Sequence, residues 1–166
     1  MTRLALAAYT PYKGPKDALG YLTAWWTDRD PARRTPPGRP WVSHVEVAML
    51  DDGDGDAALE AAECYSSSLR DGCVRRKTIN LARPPWRVIP ITWRSPDDAL
   101  QAFRKHEHEP YGYADLLAQH LLRLPVDFRG PTCSELAALM LGLPRAERID
   151  PAWITDYCET RRTHAQ

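Results

Sequence analysis

The sequence predicts a single α+β domain, in which antiparallel strands dominate the first half of the chain and helices the second. Two observations support this class. Short apolar or alternating segments fill most of the first hundred residues or so, and apolar residues at helical spacing recur after them. The length of 166 residues allows one sizeable core. We therefore treat residues 1–166 as one domain.

The predicted strands come from apolar runs and from alternation. In the second strand Val45, Val47 and Met49 point to one face, and His44 and Glu46 point to the other. Prolines at 84, 85 and 90 predict that the last strand lies at a sheet edge or begins irregularly. The five predicted strands are Leu4–Tyr9, Trp41–Leu50, Glu63–Ser68, Val74–Ile79 and Arg87–Trp93.

Two segments between the strands lack apolar periodicity. Residues 29–40 hold four prolines and four arginines, which predicts a loop or lid insertion. Residues 51–58 are acidic and contain glycine, which predicts a turn.

The predicted helices are marked by apolar spacing and by capping residues. Ser95 followed by proline and two acids starts one helix, which runs to about residue 106. Thr132 starts another, and Gly142 ends it. The remaining predicted helices are Asp17–Trp26, Tyr113–Leu122 and Ile149–Thr160.

Composition excludes several classes of partner. Lys plus Arg and Asp plus Glu balance at 22 each, so no excess charge favours nucleic acid. The first apolar run, Leu4–Tyr9, is shorter than a secretory or membrane-spanning segment. We predict no signal peptide, no membrane insertion and synthesis in the cytoplasm. The four cysteines are too scattered for a disulfide framework or a zinc site, so we predict reduced thiols and no metal or cofactor.

Cys133 is the candidate nucleophile. Thr132-Cys133-Ser134-Glu135 is a capping box, which places Cys133 on the first residue of a helix. The unpaired amides and the positive dipole end at that position stabilise a thiolate. Ala137 and Met140 share its helical face, so the spacing predicts that this face packs on the sheet.

His44 is the candidate general base for Cys133. We expect it to project from the sheet face that the cysteine helix covers, since a thiolate beside an imidazole is the minimal pair for acyl transfer. A third polar group normally orients the imidazole. Glu46 is its same-face neighbour, and Glu63 and Ser66 on the next strand are alternatives.

Four segments of the chain carry a resemblance to a known family: Trp41-Val-Ser-His44-Val-Glu-Val, Cys64-Tyr-Ser-Ser-Ser-Leu-Arg-Asp-Gly72, Tyr111-Gly-Tyr113 and Thr132-Cys133-Ser-Glu135-Leu-Ala. They resemble the circularly permuted NlpC-type papain-like proteins, which include YiiX-like proteins and small relatives encoded by phages and prophages. In that family the histidine strand precedes the cysteine helix, as here, and the resemblance spans residues from about 3 to 158.

The resemblance implies a permuted papain-like fold, with Cys133 as nucleophile and His44 as base. It implies a cysteine amidohydrolase or peptidase, most directly one acting on the peptide of bacterial cell walls and associated with a phage tail and its proteins. The alternatives are an amidase, thioesterase or acyltransferase on a lipid or acyl substrate, and a non-catalytic structural module of a virion. The candidate substrate-binding residues are Trp41, Ser43, Ser66, Tyr111 and Tyr113.

Overall fold

A computed structural model describes residues 2–11, 17–27, 41–51, 55–112 and 130–163 of the chain. The predicted loop at 29–40, the predicted helix at 113–122 and Tyr113 lie outside these ranges. The described elements are β1 (Thr2–Tyr9), α1 (Ala18–Thr27), β2 (His44–Asp51), α2 (Asp56–Glu60), β3 (Ala62–Ser68), β4 (Cys73–Ile79), β5 (Trp86–Ile91), α3 (Pro96–Arg104), α4 (Cys133–Met140), a 3₁₀ helix (Ala146–Arg148) and α5 (Pro151–Thr163).

The five strands form one antiparallel sheet in the order β4-β3-β2-β1-β5. The interior strand β1 is apolar at consecutive positions, because both of its faces are covered: Leu4 and Leu6 pack on one side, and Ala5 and Ala7 on the other. β5 lies at an edge, as its prolines predict. The predicted α+β class is therefore confirmed.

The larger core lies between one sheet face and helices α3, α4 and α5. Val45 and Val47 of β2 meet Leu136 of α4 there, and the ring of Phe103 packs edge-on against Tyr65 with centroids 4.8 Å apart. The smaller cluster on the opposite face gathers alanines of β1 and β2 around Leu81. The sheet is thus covered on both faces, with the bulkier packing on the α4 side.

One predicted segment differs in the structure. Of the acidic turn at 51–58, Asp51 is the last residue of β2 and Asp56 is the first residue of α2. Helix α2 is short, and Leu59 and Ala58 pack on the smaller cluster. Apolar contact with the sheet thus outweighs the turn propensity of the acidic residues. Within the described ranges, we find no helix with the length and hydropathy that a membrane crossing requires.

Candidate active site

The start of α4 holds Cys133 in a fixed position. The backbone amide of Glu135 donates to Thr132 Oγ1 at 3.4 Å, and the backbone amide of Thr132 donates to Glu135 Oε2 at 2.6 Å. This is the predicted capping box, and it is confirmed. Cys133 is therefore the first residue of α4, and it is 5% exposed.

Cys133 and His44 meet at the end of the sheet. Both residues line one cleft, and the electrostatic interaction with the Cys133 side chain is the largest contribution that raises the pKa of His44. The ladder between β2 and β3 runs only from Met49 to Val47, and beyond it Ser66 Oγ donates to the carbonyl oxygen of Val45 at 2.8 Å. Cys133 and His44 therefore come together where the regular pairing of β2 with β3 has stopped.

The expected geometry of this encounter is wrong in one respect. We expected α4 to cover the sheet face from which His44 and Glu46 project. Instead α4 packs on the face of Val45 and Val47, and Glu46 lies on the other face, opposite Ala7 of β1. The bulky β-branched residues of β2 form the large core with the helices, which leaves the polar positions facing away.

Glu46 holds the imidazole through one of its ring nitrogens. Its Oε1 lies 2.9 Å from His44 Nε2. The carboxylate also accepts two hydrogen bonds from Arg75, at 2.7 Å and 2.6 Å. Glu46 is only 1% exposed, so its negative charge needs these two cationic partners.

The charges of the site support one another. Burial opposes the charged form of His44, but the negative charge and hydrogen bond of Cys133 and the carboxylate of Glu46 outweigh it, and the pKa of His44 is raised to about 10. Burial also opposes ionisation of Glu46, but hydrogen bonds from His44 and Arg75 lower the pKa of its carboxyl group. At neutral pH the arrangement therefore favours an imidazolium beside the carboxylate of Glu46.

The two alternatives to Glu46 make other contacts. Ser66 donates to the backbone of β2 and β3, and Glu63 binds the hydroxyl of Tyr65 and the guanidinium of Arg76. Neither has a hydrogen bond with His44 in the part of the chain that the structure describes. Of the three candidates, Glu46 is the one that the structure places against the imidazole.

A cleft of about 870 Å³ opens at Cys133, His44 and Glu46. Of the predicted substrate-binding residues, Ser43 and Tyr111 line it. Trp41 instead packs its ring on Tyr21, with centroids 5.0 Å apart, and neither Trp41 nor Ser66 is among the described lining residues.

Two groups of residues that line this cleft were not predicted from the sequence. Tyr9 and Trp86 form an aromatic wall, with ring centroids 5.2 Å apart, and Trp86 also lies edge-on to His44. Charged side chains supply much of the rest of the described lining: Asp17, Arg70, Asp71, Arg75 and Lys77. Tyr9 and Trp86 lie opposite each other in the pairing of β1 with β5, so a prediction of that register would have brought the two rings together.

Thr132→Ala tests whether the capping box matters for the thiol. Losing the cap is expected to lower the free energy of unfolding by about 1 kcal/mol and to slow alkylation of Cys133 by iodoacetamide, since the amides of the first turn become less ordered. Ser95→Ala removes the equivalent cap of α3, where Ser95 Oγ accepts from the amide of Asp98 at 3.1 Å. This control is expected to lose similar stability in urea unfolding with the alkylation rate of Cys133 unchanged. Equal slowing in both variants would refute the local effect.

Comparison of the chain with protein-family models, curated proteins and solved structures gives no match.

Proposed function

We propose that this protein is a cysteine amidohydrolase with a permuted papain-like arrangement of its catalytic residues. The observation that carries the proposal is a thiol at the start of a capped helix, in electrostatic contact with a histidine whose Nε2 is held by a buried carboxylate. This combines a nucleophile, a base and an orienting group within hydrogen-bond reach of one another.

The first half of the proposed reaction forms an acyl-enzyme. The Cys133 thiolate attacks the carbonyl carbon of an amide, and the developing oxyanion is stabilised by the backbone amide of Cys133. His44 then gives its proton to the leaving amine as the C–N bond breaks. The charge of Cys133 heads the causes that raise the pKa of His44. Because acylation consumes that charge, the imidazolium becomes a stronger acid when the amine needs its proton.

The second half releases the acyl group. Neutral His44 takes a proton from water, whose oxygen attacks the thioester carbonyl, and the thiolate leaves as the C–S bond breaks. The pair Cys133 and His44 returns to its ionised state with a carboxylic acid released. Glu46 stays an anion throughout and keeps Nε2 of the imidazole in place.

The cleft favours a peptide over an acyl chain. Charged side chains of both signs line it, together with the aromatic pair of Tyr9 and Trp86. A long hydrocarbon would remove these charged groups from water and offer them no hydrogen bonds, whereas a peptide offers polar groups along its length. We therefore propose the peptide part of bacterial cell walls as the first substrate class to test, with the phage-tail role as the corresponding setting.

Thiol reactivity tests the proposal before any substrate is known. Iodoacetamide at neutral pH, with each modified peptide followed by mass spectrometry, is expected to label Cys133 at least about tenfold faster than Cys73. Cys73 is the more exposed of the two, so exposure alone predicts the reverse order. Cys158 is a second reference, because burial raises its pKa to about 12.

The same preparation then tests hydrolysis. Purified cell walls are expected to release peptide fragments with the wild-type protein and none with Cys133→Ala. If Cys133 is labelled no faster than Cys73 and the alanine variant keeps all hydrolysis, the enzyme proposal is wrong. If labelling is fast but only acyl esters are cleaved, the chemistry stands and the peptide substrate is wrong.

A further inference from the structure

Arg75 has the most completely engaged guanidinium around the site. Nη1 and Nη2 donate to the two carboxylate oxygens of Glu46, and Nε donates to Asp71 Oδ2 at 2.9 Å. Asp71 is itself fixed, because its backbone amide donates to Ser68 Oγ at 3.2 Å. Each of the three guanidinium nitrogens of Arg75 thus has a carboxylate partner.

The register of the sheet explains how Arg75 reaches Glu46. Arg75 is paired with Ser66 of β3, and the small serine side chain leaves room for the arginine to extend across its own strand pair toward β2. Arg76, the next residue, points to the other face and pairs with Glu63 at 3.3 Å. Only one of these two neighbouring arginines can therefore act on the site.

Two side chains, His44 and Arg75, share the oxygens of the Glu46 carboxylate. Oε1 accepts from both His44 and Arg75, and Oε2 accepts from Arg75 alone. The planar fork of the guanidinium fixes the plane of the carboxylate, and with it the direction from which Oε1 meets the imidazole. Lysine carries the same charge but cannot hold both oxygens in this way.

We propose that Arg75 is a positioning residue, which holds Glu46 ionised and in one orientation so that its carboxylate fixes the imidazole of His44. The proposal rests on the proposed function for the meaning of the pair formed by His44 and the thiol. It assigns Arg75 no contact with the reacting atoms. Its effect reaches the thiol through Glu46 and then the imidazole.

The pH dependence of thiol reactivity reports this role. Without Arg75, buried Glu46 takes up a proton at higher pH, and a neutral carboxyl group no longer stabilises the imidazolium. Other titratable or charged groups act on Glu46 or face the same cleft and are present in every variant of Arg75: Tyr9, Asp17, Cys64, Arg70, Asp71, Lys77 and Cys133. Asp71 also loses its bond from Arg75 Nε in Arg75→Gln, so the Asp71→Asn variant shows its separate effect. The acidic limb of the Cys133 alkylation profile is therefore the measurement.

The experiment compares the full-length wild type with Arg75→Gln, Arg75→Lys and the control Arg76→Gln, using iodoacetamide from pH 4 to 9. Arg75→Gln is expected to move the acidic limb to higher pH by about one unit. Arg75→Lys is expected to restore the position of the limb but not the full plateau rate, because it restores charge without the fork. Arg76→Gln is expected to match the wild type in both.

Each outcome decides a separate claim. If the wild type shows fast Cys133 labelling and Arg75→Gln leaves the acidic limb in place, Arg75 is not a positioning residue while the proposed function stands. If Cys133 is slow in the wild type, the proposed function itself fails. Should Arg75→Gln not fold, Asp71→Asn replaces it, since that variant leaves both hydrogen bonds between Arg75 and Glu46 in place and removes the charge that pairs with Arg75 Nε and with Lys77 Nζ. It is expected to lower the plateau rate, and an unchanged rate and limb would overturn the inference.

Discussion

His44→Ala is expected to lower kcat/KM for amide hydrolysis by about 10³-fold or more. The substitution removes both the counter-ion of the thiolate and the proton donor for the leaving amine. It also removes a ring that pairs with Glu46 and interacts electrostatically with Cys133. The measurement is the rate of fragment release from cell-wall peptides by purified wild-type and variant protein.

An aryl ester substrate separates the two functions of the imidazole. Its leaving group departs without a proton, so the loss in His44→Ala is expected to be smaller for the ester than for the amide. His106→Ala is the matched control, because His106 pairs with Glu109 at the end of α3 and is not among the described lining residues of the cleft. Equal losses for ester and amide would contradict the role of proton donor.

The alkaline side of the pH profile follows from the same residue. The pKa of His44 is raised to about 10, chiefly by the charge of Cys133 acting against burial. The imidazolium is therefore expected to persist through neutral pH, and amide hydrolysis is expected to fall as pH rises through about 10. His44 loses the proton that the leaving amine requires there.

Local signals predicted most of the strands and the start of the cysteine helix. The strand bounds agree within a few residues, because β-branched residues and alternation are properties of each segment alone. The capping box is equally local, since Thr132 and Glu135 are three residues apart and satisfy each other. Helix α2 was missed because its few apolar residues follow an acidic segment that is typical of a turn.

Glu46 binds both His44 and Arg75, and sequence spacing predicts its contact with His44 but not its contact with Arg75. His44 lies two residues away on the same strand, so alternation predicts the contact. Arg75 lies 29 residues away, on a strand separated from β2 by β3. Its contact depends on the register of two strand pairs at once, and β4 reads as a polar edge strand at Arg75, Arg76 and Lys77. The demand of a buried carboxylate for a second cation was the available clue.

The sequence pattern of β2 also does not determine which face of the sheet α4 covers. Alternation in β2 separates valines from His44 and Glu46, but it does not say which set meets a helix. Both faces of the sheet are covered in the structure, so burial of β2 alone would not have decided the question. Cys133 still reaches His44 because the contact lies where the ladder has ended, which strand periodicity does not describe.

Gly130→Ala is expected to lower the free energy of unfolding by about 3 kcal/mol. Gly130 has φ of +91°, and a Cβ there would lie 1.8 Å from the carbonyl oxygen of Pro110. Pro110 cannot easily withdraw, because its neighbours are bound to β4: the amide of Val74 donates to Glu109 O at 2.8 Å and the amide of Tyr111 to Gly72 O at 2.9 Å. The methyl group must therefore displace the segment that leads into α4.

Gly55→Ala is the control that separates backbone strain from this contact. Gly55 also has positive φ, +48°, but a Cβ there meets no atom of the described residues within 4 Å, so its expected loss is about 1 kcal/mol. Urea unfolding gives both values, and alkylation of Cys133 in the folded fraction shows whether the site moved. One residue, Pro131, separates Gly130 from Thr132 and Cys133, and Tyr111 of the cleft follows Pro110. The Gly130 variant is therefore expected to slow alkylation and the Gly55 variant to leave it unchanged. Equal loss of stability in the two variants would mean that the close approach of Gly130 to Pro110 does not fix the entry to the cysteine helix.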